Sequence, residues 1–547
     1  MCGIAGTIGH PATVVADMIY SLDHRGPDAH GSRCVGDGVY FGHARLAIID
    51  TSPAGNQPMR FGRWWITYNG EIYNYRELRQ HLESKGERFT TQTDTEVLLR
   101  MWAVYGPQCL DALDGMFAFA VYDTEKRELT LVRDRAGEKP LYWTDRGAVF
   151  AFASELRPLI GIAGRDIAND SLALYALYRY VPAPRTIISG ISKLPAGHLM
   201  VVKADGSHQI SRWYSWEVEP AVAASAQGFT EVCDEVDDAL AASVKRRLVS
   251  DVPLGMFLSG GIDSSLTAAM AVRLGHTPKT FSIGFEGKDS EHEQARRIAK
   301  HLGTEHREQI FGASEVERVC RDLGSHMDEP NGDRSCAPTY LLSQFAKSEV
   351  TVALSGDGGD ELFGGYGRYF GDCRDGAEYY NHRLPVYANS YDCPGEISST
   401  DVLFRTYADH IHALRALDFN RYLPGCVLSK MDRMSMQHSL EVRTPFLEPT
   451  LLDIARKLPT AYVMNGDMGK LVLREIAGRY LPRDIALAPK RGFGMPKAVF
   501  EGNQRLMAEL YEDAAPHCER VGMPKPPQNI NAIWAFIVLG QWVRSLQ

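Results

Sequence analysis

Hydrophobic residues in roughly the first 155 positions form short runs separated by turns, a pattern typical of β-strands. The runs that match strands are VYFGHARLAIID, RWWITYNGEIYN, GMFAFAVYD, ELTLVRDR and VFAFASE. Two longer segments, YRELRQHLESKG and DTEVLLRMWAVYG, repeat their apolar residues at helical spacing. Because many short strands alternate with turns, the pattern predicts stacked antiparallel sheets flanked by helices.

The pattern changes after a passage rich in proline and turn residues, YVPAPRTIISGISKLPAGH, which is typical of a connection. From about residue 228, long amphipathic helices such as EVCDEVDDALAASVKRRLVS alternate with short buried runs such as PLGMFLSGG, TFSIGF and VTVALSGDGGDE. This alternation predicts a parallel, doubly wound α/β sheet followed by a mainly helical end. We therefore expect one domain over 2–190, a connecting segment over 191–227 and a second domain over 228–547.

Composition limits the classes of partner. The chain has 547 residues, 44% hydrophobic and 23% charged, as in ordinary globular proteins. The net charge of -9 and the lack of a basic run of five residues disfavour nucleic acid as a partner. Apolar stretches such as AIWAFIVLG are shorter than the roughly 20 residues that a membrane span needs. With no signal-peptide pattern ahead of Cys2, we expect a cytoplasmic protein with no membrane partner.

The chain opens with MCGIAG, which places a thiol beside the initiator methionine. Removal of Met1 would leave Cys2 as the N-terminal residue, with an α-amine whose pKa, about 7.7 to 8.0, suits a base for its own thiol. The alternative is that Cys2 is an ordinary member of a set of ten cysteines that contains no CxxC pair. If Cys2 is the nucleophile, it works only after Met1 is removed.

The run MFLSGGIDSSLTAAMAVRLG predicts a strand, a glycine turn and a helix. Backbone N–H groups of such a turn, together with the helix N-terminus, form a phosphate cradle. No GxxxxGK[ST] sequence occurs, so the cradle is not of the Walker type. Asp263 is placed to hold Mg²⁺ against a bound pyrophosphate.

An acidic, glycine-rich loop follows another buried strand in VTVALSGDGGDELFGGY. Asp357, Asp360 and Glu361 crowd together there, and their repulsion requires a metal ion or a cationic substrate to offset it. Ligands bind at the carboxyl ends of strands in parallel sheets, which favours a site over the alternative of a solvated acidic turn.

Together with these motifs, the stretches DHRGPDAHG, GHARLAIID, YNGEIYNYRELR, TDTEVLL, RDRAGEKPLYW, KMDRMSMQHSLEVRTPFLEP and PKRGFGMP occur in one order from residue 2 to about residue 500. In this series the chain resembles the glutamine-dependent asparagine synthetases. The resemblance implies an α+β class II glutamine amidotransferase domain, a four-layer αββα sandwich of the N-terminal nucleophile hydrolase type. It also implies an α/β ATP pyrophosphatase domain of the PP-loop type.

The resemblance assigns roles in the first domain. Cys2 would attack the side-chain amide of glutamine, and Asn69 with the N–H of Gly70 would bind the oxyanion. Glutamine itself would be bound by Arg45, Leu46, Ile48, Ile49, Asn69, Gly70, Glu71 and Asp94. Arg45 would pair with the α-carboxylate, whereas Glu71 and Asp94 would hold the α-ammonium. The alternatives are a surface ion pair for Arg45 and a helix N-cap for Asp94.

The resemblance likewise assigns ATP as a substrate of the second domain. The expected ATP-binding residues are Leu258, Ser259, Gly260, Gly261, Asp263, Ser264, Ser265, Ile283, Ser355 and Gly356. Asp263 and Asp360 would bind Mg²⁺, and Lys490 would neutralise charge on the α-phosphate and the leaving pyrophosphate; the alternative for Lys490 is a solvent-facing lysine in a loop. Asp357 stands where some members carry a glutamate that handles the incoming ammonia. Arg334 stands where aspartate-using members carry an arginine, and we expect it to bind the acceptor.

The implied reaction converts aspartate, glutamine, ATP and water to asparagine, glutamate, AMP and pyrophosphate through a β-aspartyl adenylate, with ammonia passing inside the protein. A possible homodimer would form through the N-terminal domain. The same architecture also serves amidotransferases for other carboxylates, such as sugar acids and natural-product precursors, and that alternative stays open. A silent regulatory relative or a β-lactam-closing relative is disfavoured because Cys2, Arg45, Asp94, Asp263 and Lys490 are all present.

Overall fold

A computed structural model describes residues 1–146, 149–218, 228–286, 291–371, 402, 404–407, 409–466, 468–490, 492–495, 503–526 and 528–547. Among these residues, the first part of the chain forms twelve strands and five α-helices. The strands are β1 Gly3–Ile8, β2 Ala29–Gly36, β3 Val39–Arg45, β4 Met59–Phe61, β5 Trp64–Ile72, β6 Gly115–Asp123, β7 Glu128–Arg133, β8 Tyr142–Thr144, β9 Phe150–Ala153, β10 Ser192–Lys193, β11 His198–Val202 and β12 His208–Arg212. The helices are α1 Ala12–Tyr20, α2 Tyr75–Ser84, α3 Asp94–Tyr105, α4 Arg157–Ala163 and α5 Asn169–Tyr178.

These strands build two six-stranded antiparallel sheets, in the orders β10-β8-β9-β1-β3-β2 and β12-β11-β7-β6-β5-β4. Residues from both sheets, including Ile4, Phe41 and Ala118, share one buried cluster, so the sheets pack face to face. Helix α1 covers the outer face of the first sheet, and α2 and α3 cover the second. The predicted four-layer αββα sandwich is thereby confirmed.

The structure differs from the sequence-based expectation at two places in this sandwich. The run predicted as one strand over 39–50 ends at Arg45, and residues 46–50 turn away from the sheet. Part of the predicted connecting segment 191–227 is built into the sheets: β10 pairs with β8, and the β11–β12 hairpin pairs with β7. The run HLMVV lies within a passage rich in proline and glycine, and its partner strand β7 is distant along the chain. The sheets therefore continue to Arg212, and residues 219–227 lie outside the described part.

The second part contains seven strands and fourteen helices among the described residues. The strands are β13 Leu254–Phe257, β14 Lys279–Phe285, β15 Glu305–Phe311, β16 Val352–Leu354, β17 Glu441–Arg443, β18 Met464–Asn465 and β19 Met468–Gly469. The helices are α6 Phe229–Arg247, α7 Ile262–Arg273, α8 Glu291–Leu302, α9 Ala313–Asp322, α10 Cys336–Lys347, α11 Gly359–Phe363, α12 His410–Leu417, α13 Leu428–Met436, α14 Pro449–Lys457, α15 Thr460–Val463, α16 Leu471–Tyr480, α17 Arg483–Ala486, α18 Gln504–Arg520 and α19 Ile530–Ser545. A π-helical segment, Asp418–Val427, joins α12 to α13.

A five-stranded parallel sheet, in the order β15-β14-β13-β16-β17, forms the centre of this part. One face is covered by α6, α7 and α16, and the other by α10, α13 and α19. The predicted doubly wound parallel sheet is thereby confirmed. The strand order reverses between β13 and β16, which is where such sheets bind ligands.

The two parts are joined by buried contacts. One hydrophobic cluster contains Ala5 and Leu156 from the first part together with Met434 and Leu440 from the second. Arg25, fully buried, binds Asp432 of α13 at 2.8 Å. Among the described residues, no helix combines the length and apolar character needed to cross a membrane.

Two candidate active sites

Cys2 lies at the start of β1, in the interior of the first sheet. It is buried, and its backbone N–H donates to Asn69 Oδ1 at 2.9 Å. Burial raises the pKa of the Cys2 thiol above its ordinary value. The thiol is therefore protonated at rest and needs a neighbouring base, which the free α-amine of a processed chain would supply.

The predicted oxyanion donors lie directly beside Cys2. Asn69, on β5, is fully buried, and its Nδ2 atom has no hydrogen-bond partner among the described residues. A buried amide N–H without an acceptor is costly, so this donor suits an oxygen that acquires charge during a reaction. Gly70 has φ 159° and a side chain there would meet Met116 O at 2.1 Å, which explains the requirement for glycine.

A small cavity next to Cys2, of about 30 Å³, is lined by the predicted glutamine-binding residues other than Asn69, which contacts the Cys2 nitrogen instead. Its described lining includes Met1, Cys2, Arg45, Leu46, Ile48, Ile49, Gly70, Glu71, Asp94 and Glu441. The Met1 side chain is itself buried among these residues. Loss of Met1 would therefore enlarge the space that faces the thiol.

The charged groups of this cavity are held in place before any ligand binds. Arg45 is buried and donates to Ser52 O at 2.7 Å and to Asn56 Oδ1 at 2.8 Å, neither of them a carboxylate. Asp94 accepts from Tyr68 Oη at 2.9 Å and from Ile72 N at 3.0 Å. The alternatives of a surface ion pair for Arg45 and an N-cap for Asp94 are wrong, because Arg45 is buried and Thr93 caps α3.

Two residues of the second part reach this cavity and had no role in the sequence-based interpretation. Glu441 Oε2 lies 2.7 Å from the Met1 ammonium, and Glu441 Oε1 accepts from Arg443 Nε at 2.7 Å. Arg443 Nη2 also lies 3.4 Å from Glu71 Oε2. Both residues belong to β17, within the quoted stretch HSLEVRTPFLEP, but nothing in that local pattern indicates contact with residue 1.

A much larger cavity, of about 700 Å³, lies at the carboxyl ends of the parallel strands. Its described lining includes the predicted residues Leu258, Ser259, Gly260, Gly261, Asp263, Ser264, Ile283, Ser355, Gly356, Asp357, Asp360 and Lys490. Its loop 258–261 joins the end of β13 to the first turn of α7, with φ 81° at Gly260. Backbone N–H groups and a helix N-terminus therefore face this cavity, as a phosphate site requires.

Two predicted residues are not among the described residues that line the cavity. Ser265 is fully buried, and its hydroxyl donates to Gly261 O at 2.7 Å, so it stabilises the loop from behind. One step along α7 rotates a side chain by about 100°, which separates Ser265 from Ser264. Arg334 precedes α10 and is half-buried there. Its binding of an acceptor stays a prediction.

Two lysines hold the acidic residues of the large cavity together. Lys470 Nζ binds Asp263 and lies 2.5 Å from Asp360 Oδ1, while Lys490 Nζ binds the other oxygen of Asp360. Burial raises the pKa of Asp263, and the two lysines hold the pKa of Asp360 below its usual range despite burial. Lys490 is exposed to solvent, as its alternative expects, yet its ammonium also binds Asp360 at the cavity. Lys470 was missed because a lone lysine before a helix carries no distinctive pattern.

The acidic loop also contains a carboxyl group, that of Glu361, whose pKa lies near neutral pH. Glu361 is buried, and burial with the nearby Asp360 charge raises its pKa to about 7. Tyr366 Oη donates to Glu361 Oε1 at 2.5 Å. Asp357 is partly buried, accepts from Ser355 Oγ at 2.9 Å, and has its pKa raised by burial. Because Glu361 is buried, the alternative of a fully solvated acidic turn is wrong.

The donor atoms of this cavity fit a magnesium ion. Asp263 Oδ1 is buried without a hydrogen-bond partner among the described residues, and the Asp360 carboxylate faces the same lysine. Mg²⁺ is commonly bound by one or two carboxylates together with phosphate oxygens. Asp263 and Asp360 are therefore suited to hold Mg²⁺ when a nucleotide supplies the remaining oxygens.

Comparison with known proteins identifies both parts of the chain. The asparagine synthase family model matches residues 235–521, and the glutamine amidotransferase domain model matches residues 1–214. Asparagine synthetase [glutamine-hydrolyzing] 1 of Bacillus subtilis is 31% identical, covering 99% of this chain and 96% of that protein. A putative asparagine synthetase [glutamine-hydrolyzing] of Mycobacterium tuberculosis is 32% identical, covering 91% and 88%. The solved glutamine phosphoribosylpyrophosphate amidotransferase of B. subtilis is 18% identical with a TM-score of 0.31, covering 57% and 66%.

Proposed function

The chain belongs to the glutamine-hydrolysing asparagine synthetase family, and from this premise we propose that it amidates the side-chain carboxylate of aspartate with nitrogen from glutamine, using ATP. The observation that carries the proposal is the assembly of Cys2, Arg45 and Asp94 around one cavity, with Asn69 bound to the Cys2 nitrogen, in a chain that also builds a phosphate cradle. A glutaminase needs no ATP and an adenylating enzyme needs no glutamine, so the presence of both sites in one chain supports ATP-dependent amidation by glutamine.

In the first site, we propose that Met1 is removed and that the Cys2 amine takes the proton of its own thiol. The thiolate attacks the amide carbon of glutamine, whose α-carboxylate is bound by Arg45 and whose α-ammonium is bound by Asp94 and Glu71. Asn69 Nδ2 and the Gly70 N–H donate to the oxyanion. The C–N bond then breaks, ammonia leaves with a proton returned by the amine, and water hydrolyses the thioester to glutamate.

In the second site, the acceptor carboxylate attacks the α-phosphorus of ATP, giving an acyl adenylate and pyrophosphate. Lys470 and Lys490, which bind Asp263 and Asp360 at rest, are positioned to bind phosphate oxygens instead. Mg²⁺ held by Asp263 and Asp360 would neutralise further phosphate charge. Ammonia then attacks the acyl carbon, AMP leaves, and Glu361 is suited to take the proton because its pKa lies near neutrality.

Aspartate is the acceptor that the family relationship favours, and other carboxylates remain the second candidate. The test is to incubate the protein with ATP, Mg²⁺ and ammonium and to compare pyrophosphate release across aspartate, sugar acids and other carboxylic acids. Aspartate-dependent release with formation of asparagine is expected. Release with a different acid alone would favour the second candidate. If Arg334 binds the acceptor, Arg334→Ala should raise the acceptor KM and leave glutamate release unchanged.

We also propose a cytoplasmic location and a homodimer formed through the N-terminal domain. The family's biosynthetic role and the absence of a membrane-crossing helix among the described residues are compatible with the first. Light scattering of the purified protein tests the second, with the mass of two chains expected and the mass of one chain contradicting it.

A further inference from the structure

Glu441 is a residue of the ATP-binding part that lies in the glutaminase cavity. Its side chain is buried, it lines the same small cavity as Cys2, and its Oε2 atom binds the Met1 ammonium at 2.7 Å. The mechanism proposed above uses no group from the second part at this site. The role of the buried Glu441 carboxylate, which the second part places beside Cys2, is therefore not accounted for by that mechanism.

Neighbouring groups fix this carboxylate in one orientation. Arg443 Nε donates to Glu441 Oε1 at 2.7 Å, and Arg443 Nη1 donates to the carbonyls of Arg247 at 2.8 Å and Val249 at 2.6 Å. Arg443 itself is fully buried. The Oε1 atom thus has a partner within the protein fold, whereas the Oε2 partner is an amino group that would leave with Met1.

The bound amino group resembles the product of the glutaminase reaction. Removal of Met1 would leave a buried position empty next to Cys2. In the unprocessed chain, that position holds the Met1 nitrogen, whose N–H groups face Glu441 Oε2. Ammonia released from glutamine is such a nitrogen. A buried carboxylate oxygen without a donor is unfavourable. The Cys2 nitrogen is already held by Asn69 Oδ1 at 2.9 Å, so the vacated position suits a further N–H donor.

We propose that the position held by the Met1 ammonium is the receiving site for ammonia released at Cys2, with Glu441 as the positioning residue that accepts its N–H. This inference rests on the proposed function. Glu441 is on β17, which pairs with β16, and Arg443 O accepts from Ser355 N at 2.9 Å. Ser355 Oγ in turn binds Asp357 in the ATP cavity. Glu441 therefore belongs to the parallel sheet whose carboxyl ends form the large cavity, where ammonia would react with the acyl adenylate.

The test measures two products of one reaction in the full chain with Met1 removed, as checked by intact mass. Glutamine, ATP, Mg²⁺ and the acceptor are supplied, and glutamate and amide product are both quantified. Glu441→Gln should keep glutamate release within about twofold of the parent but lower the amide formed per glutamate by about tenfold, because a carboxamide has one accepting oxygen for two donors, Arg443 Nε and ammonia. The missing nitrogen should appear as free ammonium.

A conservative variant and a matched control complete the design. Glu441→Asp keeps the charge but withdraws the oxygens, and an intermediate ratio of amide to glutamate is expected. Glu448→Gln alters another buried carboxylate of the same region and should leave the ratio unchanged. If Glu441→Gln is poorly folded, the ratio of amide to glutamate in Glu441→Asp becomes the deciding measurement.

An unchanged ratio in the deciding variant, or a parallel loss of both products, would overturn the proposal, because the first leaves ammonia transfer intact and the second indicates a structural role. Failure of the proposed function would look different. In that case the parent protein would itself release no pyrophosphate when ammonium is added.

Discussion

The two cavities differ in how their charges are arranged before a substrate arrives. In the glutaminase cavity, Arg45 and Asp94 are held by backbone carbonyls, amides and hydroxyls, so their charges remain available to glutamine. In the ATP cavity, Asp263 and Asp360 are bound by Lys470 and Lys490, so the charges are already paired with each other. Under the proposed function, the first site is preorganised for glutamine, whereas the second would exchange lysine–carboxylate contacts for contacts with phosphate and metal.

This comparison predicts that variants of the first site affect only the reaction driven by glutamine, whereas variants of the second affect the reactions driven by glutamine and by ammonium. The largest effect is expected for Cys2→Ala, which removes the nucleophile. Glutamate release and glutamine-driven synthesis should fall by at least about 10³-fold, while synthesis from added ammonium continues. The control is Cys34→Ala, which alters an exposed cysteine. Loss of the ammonium-driven reaction in Cys2→Ala would break the comparison.

Asn69→Asp tests whether the first site is preorganised for an oxyanion. Aspartate keeps an oxygen for the Cys2 N–H but removes the Nδ2 donor and adds a negative charge. Glutamate release should fall by about 10²- to 10³-fold through kcat, the usual cost of losing one oxyanion donor. A change confined to the KM for glutamine would instead make Asn69 a substrate-binding residue.

Lys470→Ala tests the exchange of partners in the second site. Without this lysine, Asp263 and Asp360 face each other with less compensation, and the phosphates lose a cation. Pyrophosphate release with either nitrogen source should fall by about 10- to 100-fold, the equivalent of one charged hydrogen bond. Lys300→Ala, which alters an exposed lysine of α8, is the control. Loss with only one nitrogen source would contradict a role in binding phosphate.

The smallest effect is expected for Tyr366→Phe, and it concerns pH. The Tyr366 hydroxyl favours the ionised form of Glu361, whose pKa is already raised to about 7 by burial and Asp360. Removing the hydroxyl should raise that pKa further. The acidic limb of the pH profile for kcat should therefore move to higher pH, with amide formation measured between about pH 6 and 9 at saturating substrates. A shift towards lower pH would rule out Glu361 as the titrating base.

Much of both sites could be predicted from the sequence because the residues lie in contiguous motifs. Cys2 is indicated by its position beside Met1, whereas Arg45, Asn69 and Asp94 come from separate short stretches whose roles the resemblance implies. The phosphate cradle follows from a strand, two glycines and a helix. The resemblance assigns Ser265 to the ligand-binding set, but the step of one residue from Ser264 along α7 directs its hydroxyl to Gly261 O.

The contributions that the sequence could not predict all depend on tertiary packing. Glu441 approaches Met1 only because β17 is the edge strand of a sheet that packs against the sandwich. Lys470 lies far along the chain from Asp263, which it binds. The β11–β12 hairpin becomes part of the second antiparallel sheet by pairing with β7. In each case the contact depends on a partner that is distant in sequence, so the local sequence does not predict it.

The most direct test of the account follows one nitrogen atom. The processed protein is supplied with ATP, Mg²⁺, aspartate, glutamine labelled with heavy nitrogen in its amide, and a modest amount of unlabelled ammonium, and the asparagine formed is analysed by mass spectrometry. The account predicts asparagine that carries the heavy nitrogen, formed in step with glutamate and pyrophosphate. Glutamate released without asparagine, or asparagine whose heavy-nitrogen fraction only equals that of the ammonium pool in solution, would contradict it.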